Sequence, residues 1–147
     1  MITKSKKGLT DLWKTKVTIY SNVPDENNTS RSIRRFVIER CQVYGQVVEK
    51  PNQTIRNVIN AKSVTTKNVE QYKPLAEFIR LSEEERRNYY TAEPGDFVVF
   101  GEVNDVVSTV GDFAELQKKY RNNGMKVTTV DTYINGMTVD NITMSNA

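Results

Sequence analysis

Histidine is absent from this 147-residue chain, and cysteine occurs once, at Cys41. Without histidine, the Cys-His and Ser-His catalytic pairs are unavailable, and one thiol cannot assemble the usual zinc or haem ligand sets. The lone cysteine also excludes an internal disulfide and leaves no secretory framework of paired cysteines. No apolar run approaches the ~20 residues that a membrane-crossing helix needs. The basic start of the chain lacks the apolar stretch of a signal peptide, so no membrane contact is expected. Hydrophobic content of 37% and charged content of 27% describe a globular chain with a modest core and long polar loops. At this length one domain is expected, burying roughly two-thirds of the surface its unfolded chain exposes.

The net charge of +3 conceals an asymmetry. Residues 1–92 carry 17 Lys and Arg against 10 Asp and Glu, whereas residues 93–147 carry 4 against 8. Between Asn88 and Gln117 stand six acidic residues (Glu93, Asp96, Glu102, Asp105, Asp112 and Glu115) and no basic one. A basic N-terminal part joined to an acidic C-terminal part can complement a copy of itself head to tail. The same charges also suit ordinary solvated loops.

The order of elements is read from turn chemistry and β-forming runs. Residues 1–14 form a basic arm with Lys4, Lys6, Lys7 and Lys14, in which Leu12 and Trp13 point to docking on the chain's own core or on a neighbour. Residues 15–147 form one domain with an insertion at about 51–90. Thr15–Tyr20 alternates and reads as the first strand, and Ser21–Ser30 reads as loop throughout. Ser32–Tyr44 is a second, long strand, with a bulge or turn at Gly45. Its neighbouring Arg31, Arg34, Arg35 and Arg40 could form a phosphate-binding stripe, but without interleaved aromatics they suit a solvated edge or subunit contact better. Cys41, in this apolar strand, reads as core.

Ala61–Val69 is β-leaning. Pro74 opens a short helix to Leu81, and Ser82 with Glu85 forms a capping box for a second helical turn. Glu93-Pro94-Gly95-Asp96 is a turn into Phe97–Phe100, an unbroken apolar run that suits a central strand buried on both faces. Asp112 caps a helix to Tyr120, with Phe113, Leu116 and Tyr120 on one face, and Asn122-Asn123-Gly124 stops it. Met125–Ile134 and Met137–Met144 are strands around Asn135-Gly136, the strongest short hairpin signal in the chain. The fold class expected is mainly β, a small β-barrel or sandwich with a long loop and a short-helix insertion.

The strand Lys16-Val17-Thr18-Ile19-Tyr20-Ser21-Asn22, the later Pro94–Glu102 stretch, the short element Ala114–Tyr120 and the closing hairpin together resemble tailed-phage head-closure (stopper) and neck-connector proteins. That resemblance covers about half the chain. It implies a compact β-barrel with a long loop able to project into a ring's channel. It implies a virion structural protein, assembled in the bacterial cytoplasm, that forms a homo-oligomeric ring joining the portal or head to the tail. Its partners would be copies of itself, neighbouring neck, portal-adaptor or tail proteins, and DNA that passes without specific binding. The length of the Pro51–Tyr90 insertion and the basic N-terminal arm depart from the family pattern.

In such a ring, Trp13, Arg31, Arg34 and Arg35 are the expected subunit contacts. A lining that passes DNA should not grip phosphate, since each neutralised phosphate adds affinity through counterion release. The acidic loop bearing Asp25, Glu26, Asn27 and Asn28 is therefore the expected channel-facing segment. The competing readings are a nucleic-acid-binding small β-barrel, suggested by the arginines and seven tyrosines, and an enzyme. Asp96, Glu102 and Asp105 can be imagined as a divalent-metal set, but carboxylates flanking a strand are far more often a solvated rim. No catalytic residue, cofactor or metal is assigned.

Overall fold

The computed structural model describes residues 13–25, 30–48 and 59–146. The strands are β1 (Thr15–Pro24), β2 (Arg31–Val48), β3 (Ile59–Thr66), β4 (Phe97–Val99), β5 (Gly124–Lys126), β6 (Thr129–Asn135) and β7 (Thr138–Ser145). The helices are α1 (Leu75–Phe78), α2 (Glu83–Arg86) and α3 (Val110–Lys119). The seven strands make one curled antiparallel sheet, a half-barrel, in the order β5-β4-β1-β2-β3-β7-β6. The mainly β class with short helices is thus the observed one.

β1 is the strand about which both layers are built. Alternation puts Val17, Ile19, Ser21 and Val23 on one face and Thr18, Tyr20 and Asn22 on the other. The first face packs Val17, Ile19, Ile38, Cys41, Val64, Val98 and Met144 with Tyr90 and Ala92. The second face packs Tyr20, Phe97 and Val99 under Phe113 and Leu116 of α3. Phe97–Val99 is buried on both faces as expected, but β4 lies second from an edge and pairs for only three residues with β5. Thr18↔Val99 and Thr18↔Val37 pairing leaves the interior position to β1.

The first strand continues past Tyr20, so the expected loop at Ser21–Pro24 is strand. Pairing outweighs loop-like composition there: Asn22 faces Ile33, Val23 is 1% exposed, and Ser21 Oγ donates to the Thr91 carbonyl at 2.8 Å. In β2 the irregularity falls not at Gly45 but near Arg40, whose φ is +58°. Two β1 residues (Thr15, Val17) there oppose a longer β2 span (Cys41, Ile38), which lets Cys41 return to the face of Ile38. β3 ends at Thr66, before the expected Val69, where Asn68 N donates to Thr66 Oγ1 and the chain turns.

Ser82 and Glu85 make the expected capping box on α2. α3 is capped by Thr109, with Asp112 as the reciprocating third residue and not the cap itself. Gly124 does not end this helix. It opens β5, and a Cβ there would stand 2.7 Å from the Val98 carbonyl oxygen and 2.9 Å from the Phe97 ring. The expected strand Met125–Ile134 is divided at Val127, whose N–H donates to the Asp96 carbonyl and whose carbonyl accepts from Gly95 N–H, both at 2.8 Å. β5 and β6, at opposite edges of the sheet, are therefore consecutive in the chain.

Candidate functional site

The sheet's two faces distribute the arginines of β2. Arg34 stands opposite Ser21 on the face of Ile19 and Ile38, whereas Arg31 and Arg35 share the face of Tyr20 and Asn22. Arg35 donates through Nε to the Val103 carbonyl at 2.6 Å and through Nη2 to Asn104 Oδ1 at 3.1 Å. Arg31 donates to the Asn22 carbonyl at 2.9 Å and to its side-chain oxygen at 3.3 Å. Much of their donor capacity is already used within the chain.

Arg34 instead enters a groove of about 410 Å³ between the start of β2 and the α1–α2 segment. Its walls include Phe36, Phe78, Arg86, Arg87 and Tyr89. The segment folds over the sheet because Pro74 begins α1, the Ser82 box begins α2, and Phe78 inserts at 2% exposure. Arg34 forms an ion pair with Glu83, and both its guanidinium and that of Arg86 lie over the Phe78 ring, at 5.9 and 5.3 Å. Arg86 is 2% exposed. Its cation is held by three backbone carbonyls: Pro24 at 2.9 Å, Ile79 at 3.0 Å and Leu81 at 3.3 Å. Arg34 Nε and Thr91 Oγ1, both at the groove, are buried without a hydrogen-bond partner among the described residues. Such atoms are costly and uncommon in folded chains.

The second prominent surface is the β6–β7 hairpin. Asn135 pairs with Thr138, so the turn is centred on Gly136 and Met137, one position later than the Asn-Gly pair suggests. Gly136 has φ +69°, the glycine position of a type II′ turn. Beyond Asn141 the hairpin leaves the sheet, and Tyr133 (55%), Ile134 (66%), Met137 (100%) and Val139 (38%) are exposed. A bulge between Tyr133 and Ile134 shifts the register on the way to the tip.

Of the expected subunit contacts, the structure does not gather Trp13, Arg31, Arg34 and Arg35 into one patch. Trp13 is half-buried beside Lys67, whose Nζ lies 5.2 Å from the indole centroid and 3.5 Å from Asp140 at the hairpin. Asp25 takes the Ser30 hydroxyl at 3.1 Å, while Glu26, Asn27 and Asn28 lie outside the described residues. So do the lysines of residues 1–12 and the 51–58 part of the insertion. The carboxylates considered for a metal have separate partners. Asp96 accepts from Asn22 N and Glu93 N, Glu102 pairs with Lys16, and Asp105 binds Lys119 and Tyr120. No cluster of three metal-ligating side chains occurs among the described residues. The groove and the hairpin tip went unmarked in the sequence reading. Arg86 stands in a run of charged residues (Glu83–Arg87) with no local sign of burial, and Tyr133, Ile134 and Val139 fall within runs read as strands.

A comparison with curated proteins finds no match. The sequence model of one family covers residues 12–145, which includes every described strand and helix. The chain belongs to that family, described as a family of unknown function (DUF6751).

Proposed function

We propose that this chain is a structural protein of a tailed-phage neck, forming a homo-oligomeric ring that joins the portal and head to the tail. The observation that supports this most is the hairpin tip, where Tyr133, Ile134, Met137 and Val139 stand exposed on a projecting arm. Apolar groups gathered at one exposed site mark an interaction surface. The curled β-sheet and the opposite charges of the two halves of the chain support the same reading. Trp13, beside the hairpin through Lys67 and Asp140, and Arg34 at the groove serve as subunit contacts in it. The loop from Asp25 to Asn28 faces the channel, where acidic and neutral side chains let DNA pass without holding it. Neighbouring neck, portal-adaptor or tail proteins occupy the ring's two rims.

Mass photometry over a range of concentration and salt tests this reading. The expected result is a closed species of fixed copy number that weakens as salt rises, because exposed ion pairs are screened beyond ~8 Å at physiological ionic strength. A chain that stays monomeric at every concentration, and instead binds single-stranded DNA tightly and salt-dependently, overturns it in favour of a nucleic-acid-binding barrel.

A further inference from the structure

The groove and the hairpin tip lie toward the same end of the sheet. Thr66 of β3 faces Cys41 of β2 on one side and Ile142 of β7 on the other, which puts Cys41 and Ile142 at one level. β2 and β7 are both antiparallel to β3, so they run in the same direction. Backward from that level, β2 leads to Arg34 and Ser32 at the groove, and β7 leads to Thr138 and Met137 at the tip. One surface is a concavity with aromatic walls, and the other is an apolar protrusion. Their charges are opposite as well. Arg34, Arg86 and Arg87 give the groove a positive balance against one glutamate, Glu83; Arg34 is paired with Glu83 and Arg86 is held by carbonyls, which leaves Arg87 as the exposed cation at the rim. Residues 127–146 hold Asp131 and Asp140 and no lysine or arginine. Asp140 is engaged by Lys67, and Asp131 stands opposite Thr143 at the base of the ribbon, so the hairpin is acidic behind an apolar, uncharged tip.

We infer that the hairpin tip of one copy seats in the Arg34–Phe78–Arg87 groove of the next copy. This rests on the ring reading above and names its contact. Met137 and Ile134 enter between Phe36 and Tyr89, and the acidic ribbon behind them approaches exposed Arg87 at the rim. The groove's volume of about 410 Å³ falls within the ~300–1,000 Å³ of sites that take a small ligand, enough for side chains of a hairpin tip. The contact joins two different surfaces, so it propagates head to tail and closes into a ring where the rotation between copies permits.

Cysteine cross-linking tests the contact. Met137→Cys and Arg87→Cys, both at exposed positions, are prepared separately and mixed under mild oxidation; native Cys41 is fully buried. The expected product is a mixed dimer joining position 137 of one chain to position 87 of the other. Cross-linking of Met137→Cys only with itself overturns the inference. In parallel, Met137→Asp should raise the concentration of half-assembly at least about tenfold, as loss of a buried anchor would, with an unchanged circular dichroism spectrum. If Met137→Asp rings form as readily as wild type, the tip-in-groove contact is wrong and the ring reading stands. If the wild-type chain never assembles, the ring reading falls, while the mixed cross-link at high concentration still reports on the contact. A groove that binds a fluorescent single-stranded oligonucleotide, lost in Arg87→Ala while Met137→Asp assembles normally, also overturns it.

Discussion

The phenol of Tyr20 donates a hydrogen bond of 2.9 Å to the backbone carbonyl of Asp105, 85 residues further along the chain. The Asp105 carboxylate in turn takes the Tyr120 hydroxyl at 2.6 Å and Lys119 Nζ at 2.7 Å. Strand β1, the loop after β4 and the end of α3 are thereby tied at one residue. Tyr20→Phe keeps the ring's packing and removes only the donor, so a loss of about 0.5–1.5 kcal/mol is expected. Urea unfolding followed by fluorescence measures it, and an unchanged midpoint would show that the bond contributes nothing.

Arg86 is the least replaceable side chain of the insertion. Arg86→Met fills a similar volume but leaves the carbonyls of Pro24, Ile79 and Leu81 without their donor. Each unsatisfied buried acceptor costs about 1–3 kcal/mol, so a total above about 3 kcal/mol is expected. Arg86→Lys should recover only part of this, because an ammonium cannot reproduce the planar fork that reaches all three. Comparison of the two unfolding midpoints decides the matter, and a lysine variant as stable as wild type would contradict the geometry.

Asp96 titrates far from its ordinary range. Burial pushes its carboxyl up to about 6, against the pull of amide hydrogen bonds from Glu93 and Asn22 and of the Ser21 side chain. The folded chain therefore holds this proton more tightly than the unfolded chain does. Asp96 contributes stability that is fully present below the unfolded value of 3.8 and is lost as the pH rises through about 6. Carboxyl NMR of the folded protein should give Asp96 a midpoint near 6, and Asp96→Asn should remove this component from the stability–pH curve. A midpoint below 4 would be incompatible with its placement.

Cys41 should be inert. Its side chain is fully buried, and desolvation pushes the thiol up to about 11. The thiolate is the reactive species, so alkylation at pH 8 should proceed only through unfolding. Labelling of the native protein at the rate of the urea-unfolded chain would show that the β1–β2 bulge opens freely.

Much of the fold could be read from residue types. The β-branched runs marked β1, β2 and β4, the Ser82 box marked α2, and Asn135-Gly136 marked the final hairpin to within one residue. What escaped was set by partners distant in sequence. Ser21–Pro24 has the composition of a loop and becomes strand because Ser32–Arg34 pairs with it. Met125–Ile134 looks continuous and divides because Val127 bonds to Gly95 and Asp96. The site was less legible for the same reason. Arg31, Arg34 and Arg35 are close in sequence, yet alternation sends Arg34 to one face and its neighbours to the other. The groove it lines depends on Phe78 and Arg86, some fifty residues later. Nothing local in Tyr133, Ile134 or Met137 announces that the sheet stops beneath them.

The adjacency of β5 and β6 along the chain has a consequence for how the molecule comes into being. Residues 124–145 supply both edge strands and β7, so β4 and β3 each lack an outer neighbour until that stretch is present. During synthesis a nascent chain ending before Gly124 can join β1 to β2, β3 and β4 but leaves two open flanks. Sheets assembled from such distant segments fold slowly, on the millisecond-to-second scale of non-local β topologies. Completion waits on one ribbon that crosses from flank to flank through Val127, and the hairpin tip emerges in the same act that seals the sheet.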